Sequence, residues 1–257
     1  MPGFESLSVG VVLWIALVIV LAALVQGALG LGFPIVATPL IALVTDMKSA
    51  VVVVLLPCVA AILVNIVKGG PLRPLLAEFW MMPLYAFAGA AAGTWLFIAF
   101  PHFPFAVLLA AVILVYLNLD RLGRAEWPAI RRHKALSGAL FGTLAGISEG
   151  TANAAAPPLV IYYLALGLTP GSLVQALNIC FITGKATQFF TLATSGGVTS
   201  AQWLATLPFA AVAGVGVLCG IRIRGRVAAA TYRHWLRRAL FAVALVLLAQ
   251  YVYTAGF

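Results

Sequence analysis

The chain is a succession of ten apolar segments joined by short loops: Val9–Leu29, Leu31–Val44, Ser49–Val67, Phe79–Phe100, Phe105–Leu119, Ala135–Ile147, Thr151–Leu166, Ser172–Thr194, Ala201–Gly220 and Leu236–Gly256. Most supply the ~20 residues a helix needs to cross a hydrocarbon core; Leu31–Val44, Ala135–Ile147 and Thr151–Leu166 are shorter. Hydrophobic residues fill 64% of the 257 positions and charged residues only 8%, too few charges to cover a water-facing surface. The runs lack the period-two alternation of a barrel strand, so an all-α integral membrane protein is expected. No Lys or Arg precedes Val9, and the first run is read as a mature transmembrane segment rather than a signal peptide.

The formal net charge of +9 raises the question of nucleic acid, but the charges are placed as topology signals. Arg121, Arg124, Arg131, Arg132 and Lys134 share one loop, Arg222, Arg224, Arg226, Arg233, Arg237 and Arg238 another, and Lys68 and Arg73 a third. The loops 100–104, 166–171 and 195–200 carry no cation except His102 when protonated. Short basic loops face the cytoplasm and anionic lipid, so the bilayer, not nucleic acid, is the expected partner. Alternating the segments then puts both termini outside. Lys48 is the exception, partly offset by Asp46.

Five segments precede the central basic loop and five follow it. An odd count makes the second half enter from the opposite side. Residues 1–120 and 135–257 are therefore read as two inverted-topology repeats of about five hydrophobic segments, joined by a basic cytoplasmic linker, 121–134. Internal matches support this. Pro83-Leu-Tyr-Ala-Phe-Ala-Gly89 pairs with Pro208-Phe-Ala-Ala-Val-Ala-Gly214, Ser49 pairs with Ser172, and Gly27 through Leu40 pairs with Gly142 through Leu159 with a small insertion.

Within this apolar chain, residues 26–40 read QGALGLGFPIVATPL. Glycine and proline weaken helices most, and here they fall at the junction of segments one and two. Pro157 and Pro158 fall at the corresponding junction of the second half. Matched breaks of this kind point to a transporter's midplane site. Irregular backbone at membrane depth is tolerated only inside protein or along a wet cavity. A helix that starts there aims free N–H groups and a partial positive charge at the cavity, which suits an anion. Each half is thus expected to open with a broken, re-entrant helix hairpin, with tips near Gly30–Pro34 and Gly146–Pro158. The glycines also fit a bland reading. Gly138, Gly142, Gly146 and Gly150 recur every four residues, as Gly89 and Gly93 do, which is the spacing of a close helix-packing face.

Gly27-Ala-Leu-Gly30-Leu-Gly32, Pro157-Pro158-Leu-Val-Ile-Tyr162 and the Pro83 and Pro208 segments resemble the TauE/SafE sulfite exporter family, also called the 4-toluene sulfonate uptake permease family. The resemblance covers essentially the whole chain in length, segment count and two-half layout. It departs where the family has richer glycine clusters: Phe33-Pro34 stands in the first half and Ala155-Ala156 before the prolines of the second. The resemblance implies a bacterial inner-membrane permease for sulfite, a sulfonate or a related sulfur-containing anion, with a homodimer left open.

Polar residues in apolar runs are the site candidates. Lys185, near the middle of its segment, is costly there and would attract an anion. Its expected partner is Glu149, as charge neutraliser or carrier of a coupling proton. Gln26, Asn65, Asn153, Asn178 and Gln188 are uncharged donors for sulfonate oxygens, and Asn65 aligns with Gln188. Gly30, Gly32 and Gly150 would let backbone approach the anion. Gln175 and Gln202, near segment ends, are read as interfacial. His102, His133 and His234 are read as surface residues, and Trp14, Trp80, Trp95, Trp127, Trp203 and Trp235 as an aromatic belt. Cys58, Cys180 and Cys219 form no spaced motif, so neither a metal nor a cofactor is expected. With no Walker loop, ATP is not the energy source. An intramembrane enzyme, the rival class, would need clustered His, Asp or Ser, of which the apolar runs show none.

Overall fold

The structure, a computed structural model, describes residues 8–118 and 127–223 and, toward the C-terminus, 238, 240–242, 244–249 and 251–253. Arg121, Arg124, Arg224, Arg226, Arg233, Arg237, His234, Trp235 and both extreme termini lie outside the described residues.

Among the described residues the protein is helical, without strands. The helices are α1 Val9–Leu29, α2 Phe33–Ala42, α3 Met47–Lys68, α4 Arg73–Phe79, α5 Met81–Ala99, α6 Phe105–Leu117, α7 Pro128–Arg132, α8 Lys134–Ala152, α9 Ala156–Ala165, α10 Pro170–Thr194 and α11 Ser200–Ile223. Residues of Leu240–Tyr253 form a further helical stretch. By length and apolarity α1, α3, α5 and α11 each suffice to cross a membrane. Their outer faces are apolar: Leu13, Leu17 and Leu21 on α1, and Leu204, Leu207 and Val215 on α11, are exposed. Polar side chains such as Gln26, Asn178 and Gln188 are buried instead. This arrangement, apolar outside and polar inside, suits lipid as the solvent.

Side-chain caps open α1, α3 and α10. Ser8 caps α1, accepting from the Val11 amide at 3.4 Å. Asp46 caps α3, accepting from the Ser49 amide at 2.9 Å, and Thr169 caps α10 through Ser172. The Asp46 carboxylate also takes the Ser49 hydroxyl at 2.6 Å.

The first hairpin turns where glycine permits it. Gly30 closes α1 with φ 81° and Gly32 opens α2 with φ 114°, both left-handed backbone open to glycine at little cost. Pro34 sits in the first turn of α2, where its missing N–H is harmless. α2 folds back on α1, and the Trp14 indole donates to the Leu40 carbonyl at 3.0 Å. In the second half the break falls inside the expected Gly146–Pro158 tip, toward its C-terminal end. α8 runs on through Gly146 and Gly150 to Ala152, and the turn is Asn153-Ala154-Ala155. Asn153 takes φ 56°, which asparagine tolerates better than most residues. The glycines do not break α8 because they are packing surface. A methyl group at Gly146 would collide with the Ala86 carbonyl of α5, and one at Gly150 with the Thr94 amide. Tertiary packing here outweighs helix propensity.

The same close approach joins α1 to α11. A methyl at Gly27 would strike the Val217 carbonyl, and one at Gly220 would lie 2.5 Å from the Leu24 carbonyl. The glycines that end the matched Pro83–Gly89 and Pro208–Gly214 stretches have different surroundings. Gly89 packs on Thr143 and Gly146, whereas Gly214 faces open space.

With 10 residues each, α2 and α9 extend about 15 Å, half a hydrocarbon core, while α1 with 21 and α8 with 19 extend about 30 Å. α3 and α10 pack against each other and against the hairpins, α5 lies on α8 and α10, and α11 on α1 and α3. The linker carries α7, whose Arg131 donates through Nε to the Ala165 carbonyl at 2.6 Å, a cation on the C-terminus of α9.

Candidate functional site

The nine expected substrate-binding residues and Glu149 are all inside the protein or at its hairpin turns, and all but Gly32 sort into two clusters. The first surrounds the α1–α2 turn. Gln26, in the last turn of α1, accepts from the Phe33 amide at 2.9 Å through Oε1, so it caps α2 from the preceding helix. Its Nε2 donates to Asn178 Oδ1 at 3.3 Å and to the Gly30 carbonyl at 3.4 Å. Asn65 of α3 donates to the Gln26 and Gly30 carbonyls, both at 3.3 Å. Asn178 of α10 donates to Gly30 at 3.1 Å and to Val174 at 2.7 Å. Three amide groups therefore converge on the Gly30 carbonyl, the group a broken helix leaves without a partner. The donors expected to hold an anion are here engaged in holding the turn. Gly32 belongs to neither cluster; its carbonyl accepts Val36 as the first bond of α2.

The second cluster surrounds the α8–α9 turn and carries the charge. Lys185 of α10 is 0% exposed and lies 2.7 Å from Glu149 Oε1; Glu149 is 2% exposed. Lys185 also donates to Asn153 Oδ1 at 2.7 Å and to Gln188 Oε1 at 2.9 Å. Of the three ammonium protons, Asn153 and Gln188 accept two, and the Glu149 carboxylate stands beside the ammonium as an ion pair. The other Glu149 oxygen, Oε2, accepts from the Ala155 amide at 3.1 Å, just before α9. Gln188 donates to the Glu149 carbonyl at 3.2 Å, to Asn153 Oδ1 at 3.0 Å and to the Gly150 carbonyl at 3.4 Å. Asn153 is the hub, because its amide nitrogen also reaches Thr38 Oγ1 on α2 at 3.2 Å. A buried ion pair is stable only when its remaining lone pairs and protons are hydrogen-bonded, and this one comes close to that condition.

The two clusters share α10. Asn178 and Lys185 are seven residues, about 10 Å, apart along it. Two cavities lie away from Lys185. One is a groove of about 620 Å³ between α5 and α10, beside Phe87, Thr183, Thr187, Phe190 and Thr191. The other, about 320 Å³, lies beside Trp80, Tyr85, Lys134 and Tyr162. Lys185 is sealed from both solvent and lipid.

Several residues escaped the sequence reading. Thr38, Thr94 and the Ala155 amide lie at or beside the second cluster, and the hydroxyl of Thr94 is buried without a partner. A threonine within apolar sequence and a backbone N–H carry no mark of their own. Gln175 is corrected: it is not interfacial but buried, donating to Ile66 at 3.3 Å and Gly70 at 2.9 Å. Gln202 is nearly buried and caps α11 by accepting from the Thr199 amide at 2.8 Å. His102 and His133 are exposed, as are Trp14, Trp80 and Trp95. Cys58 and Cys180 are buried free thiols and Cys219 is half-buried.

Long apolar helices, lipid-type outer faces and a charged pair sealed among broken helices define a multi-pass membrane protein. The chain belongs to the sulfite exporter TauE/SafE family, a transporter family, whose model matches residues 15–251. No curated protein and no solved structure matches the chain.

Proposed function

We propose that the protein is a secondary transporter of a small sulfur-containing anion, sulfite or an organosulfonate, working by alternating access. The observation that carries this reading is the sealed Lys185–Glu149 pair at the tip of the second hairpin. A full cation with no exposed surface is costly in a membrane protein and has its use in attracting an anion. Asn153, Gln188 and the backbone of Gly150 complete the anion site. Gln26, Gly30, Asn65 and Asn178 at the other tip frame it from the opposite side, with Gly32 giving α2 its start.

Alternating access needs two halves that can exchange roles, and we read the halves as an inverted repeat. Gln26 and Glu149, Gly27 and Gly150, Gly30 and Asn153, Pro34 and Pro157, Ser49 and Ser172, and Asn65 and Gln188 are all separated by the same number of residues. Members of each pair have like surroundings. Gln26 and Glu149 each accept the amide leading into the short helix, and Asn65 and Gln188 each donate to the carbonyl of that residue. The packing is reciprocal too, since α5 lies on α8 as α11 lies on α1. In this reading both termini are periplasmic, the basic loops are cytoplasmic and the membrane is the bacterial inner membrane.

Flux in proteoliposomes tests it, with sulfite, sulfate and a small organosulfonate, with and without a pH gradient. Sulfite or sulfonate flux that disappears in Lys185→Ala, with the variant still folded, is the expected result. No flux of any of these anions from folded, oriented protein would remove the transporter reading.

A further inference from the structure

We propose that the Glu149 carboxylate occupies the transported anion's own place, so that the anion binds only together with one proton taken up by Glu149. The inference rests on the transporter reading and names the coupling at that site. Three oxygens already surround Lys185 Nζ: Asn153 Oδ1 and Gln188 Oε1 accept hydrogen bonds, and Glu149 Oε1 stands in an ion pair at 2.7 Å. An incoming anion must displace one of them. Asn153 and Gln188 are neutral, tied to each other and to the α8 backbone. Glu149 is the oxyanion among the three.

Its carboxylate is held the way a small oxyanion would be. One oxygen meets the buried ammonium at 2.7 Å and the other meets the Ala155 amide at 3.1 Å. Oε1 is fully buried and has no hydrogen-bond partner, so the ion pair with the ammonium alone holds it. Two oxygens on one carbon thus bridge a side-chain cation and a backbone N–H. A sulfite or sulfonate presents two oxygens on one sulfur and can bridge the same pair. Ala155 thereby joins the site through its backbone.

Charge balance supplies the proton. With Glu149 ionised the sealed site is neutral. Adding an anion and leaving Glu149 ionised would bury an uncompensated negative charge, which is strongly unfavourable. Protonating Glu149 restores neutrality: the ammonium pairs with the anion, and the carboxyl becomes a hydrogen-bond donor. Among the described residues, the neighbours do not offer an alternative countercharge. α10 contributes Lys185, and Cys58 from α3 is within electrostatic reach of both Lys185 and Glu149. α5 contributes the uncharged Ala90 and Thr94 beside Gly184 and Gly150, and α2 contributes Thr38.

The experiment is calorimetric binding of methanesulfonate, sulfite and formate to the purified full chain between about pH 5.5 and 8, in buffers of different ionisation enthalpy. Methanesulfonate keeps its charge over that range. Wild-type affinity for it should fall up to about tenfold per pH unit on the alkaline side, with one proton taken up per anion. Glu149→Gln and Glu149→Ala should bind without proton uptake and with little pH dependence. Glu149→Ala, which vacates the place, should bind at least about tenfold tighter than wild type at pH 8 and accept formate beside Lys185. If Glu149→Ala does not fold, the wild-type proton count and Glu149→Gln decide. Wild-type binding without proton uptake, or an unchanged pH slope in Glu149→Gln, would overturn the inference while leaving the transporter reading intact. Formate binding by Glu149→Ala without sulfur-anion flux would do the reverse. No binding of any of the three by folded protein overturns both.

Discussion

A lysine with no exposed surface persists in this fold because two amide oxygens accept its protons and a carboxylate pairs with its charge at 2.7 Å. Removing one partner leaves the other stranded. Lys185→Met should therefore destabilise the protein by roughly 3–5 kcal/mol, and pairing it with Glu149→Leu should recover much of the loss. A double-mutant cycle read by reversible unfolding in detergent micelles checks this, and additive single effects would argue against a coupled pair. Asn153 does two jobs, left-handed backbone and hydrogen-bond hub. Asn153→Gly keeps the first and loses the second, while Asn153→Ala loses both. The alanine variant should be less stable than the glycine one by about 1 kcal/mol. Equal melting of the two would show that the turn is unstrained. At this scale the pair itself was legible, because few charges sit in the apolar runs and Lys185 had few possible partners. The Ala155 amide was not, since a backbone group gains meaning only from what faces it.

Between elements, glycine spacing decides how closely helices approach. Gly146 and Gly150 bring α8 against the α5 backbone, and Gly27 and Gly220 bring α1 against α11. Gly146→Leu should overpack that seam and cost about 1–3 kcal/mol or more, whereas Gly214→Leu, on an open face, should stay within about 0.5 kcal/mol. Thermal unfolding of the two variants side by side checks the difference; similar losses would mean that the seam is looser than the Cβ positions imply. Helix bounds followed the sequence closely for α1, α3 and α10. The second break did not, because the glycines that looked like a turn are the packing face, and the turn uses an asparagine instead.

Over the whole molecule, the reciprocal packing of α5 on α8 and α11 on α1 bears on topology. The loops at Gly70 and Ser195 should lie on opposite sides of the membrane. In a background with Cys58, Cys180 and Cys219 replaced, Ser195→Cys should react with an impermeant thiol reagent in intact cells. Gly70→Cys should react only after the membrane is opened. Labelling of both from outside would contradict the orientation drawn from the basic loops.

The sequence by itself determined the solvent, the class of element and the order of the segments. Those follow from run length and apolarity, which are local properties. It also marked where the first hairpin turns, because glycine at positive φ is a local need. Only the tertiary structure decided which glycines bend the chain and which let helices touch. Only it showed that Gln175 is buried, that three amides serve one carbonyl, and that Glu149 bridges an ammonium and a backbone amide. Each depends on atoms distant in sequence meeting within about 3 Å, and hydrogen bonding falls away over a few tenths of an ångström beyond that.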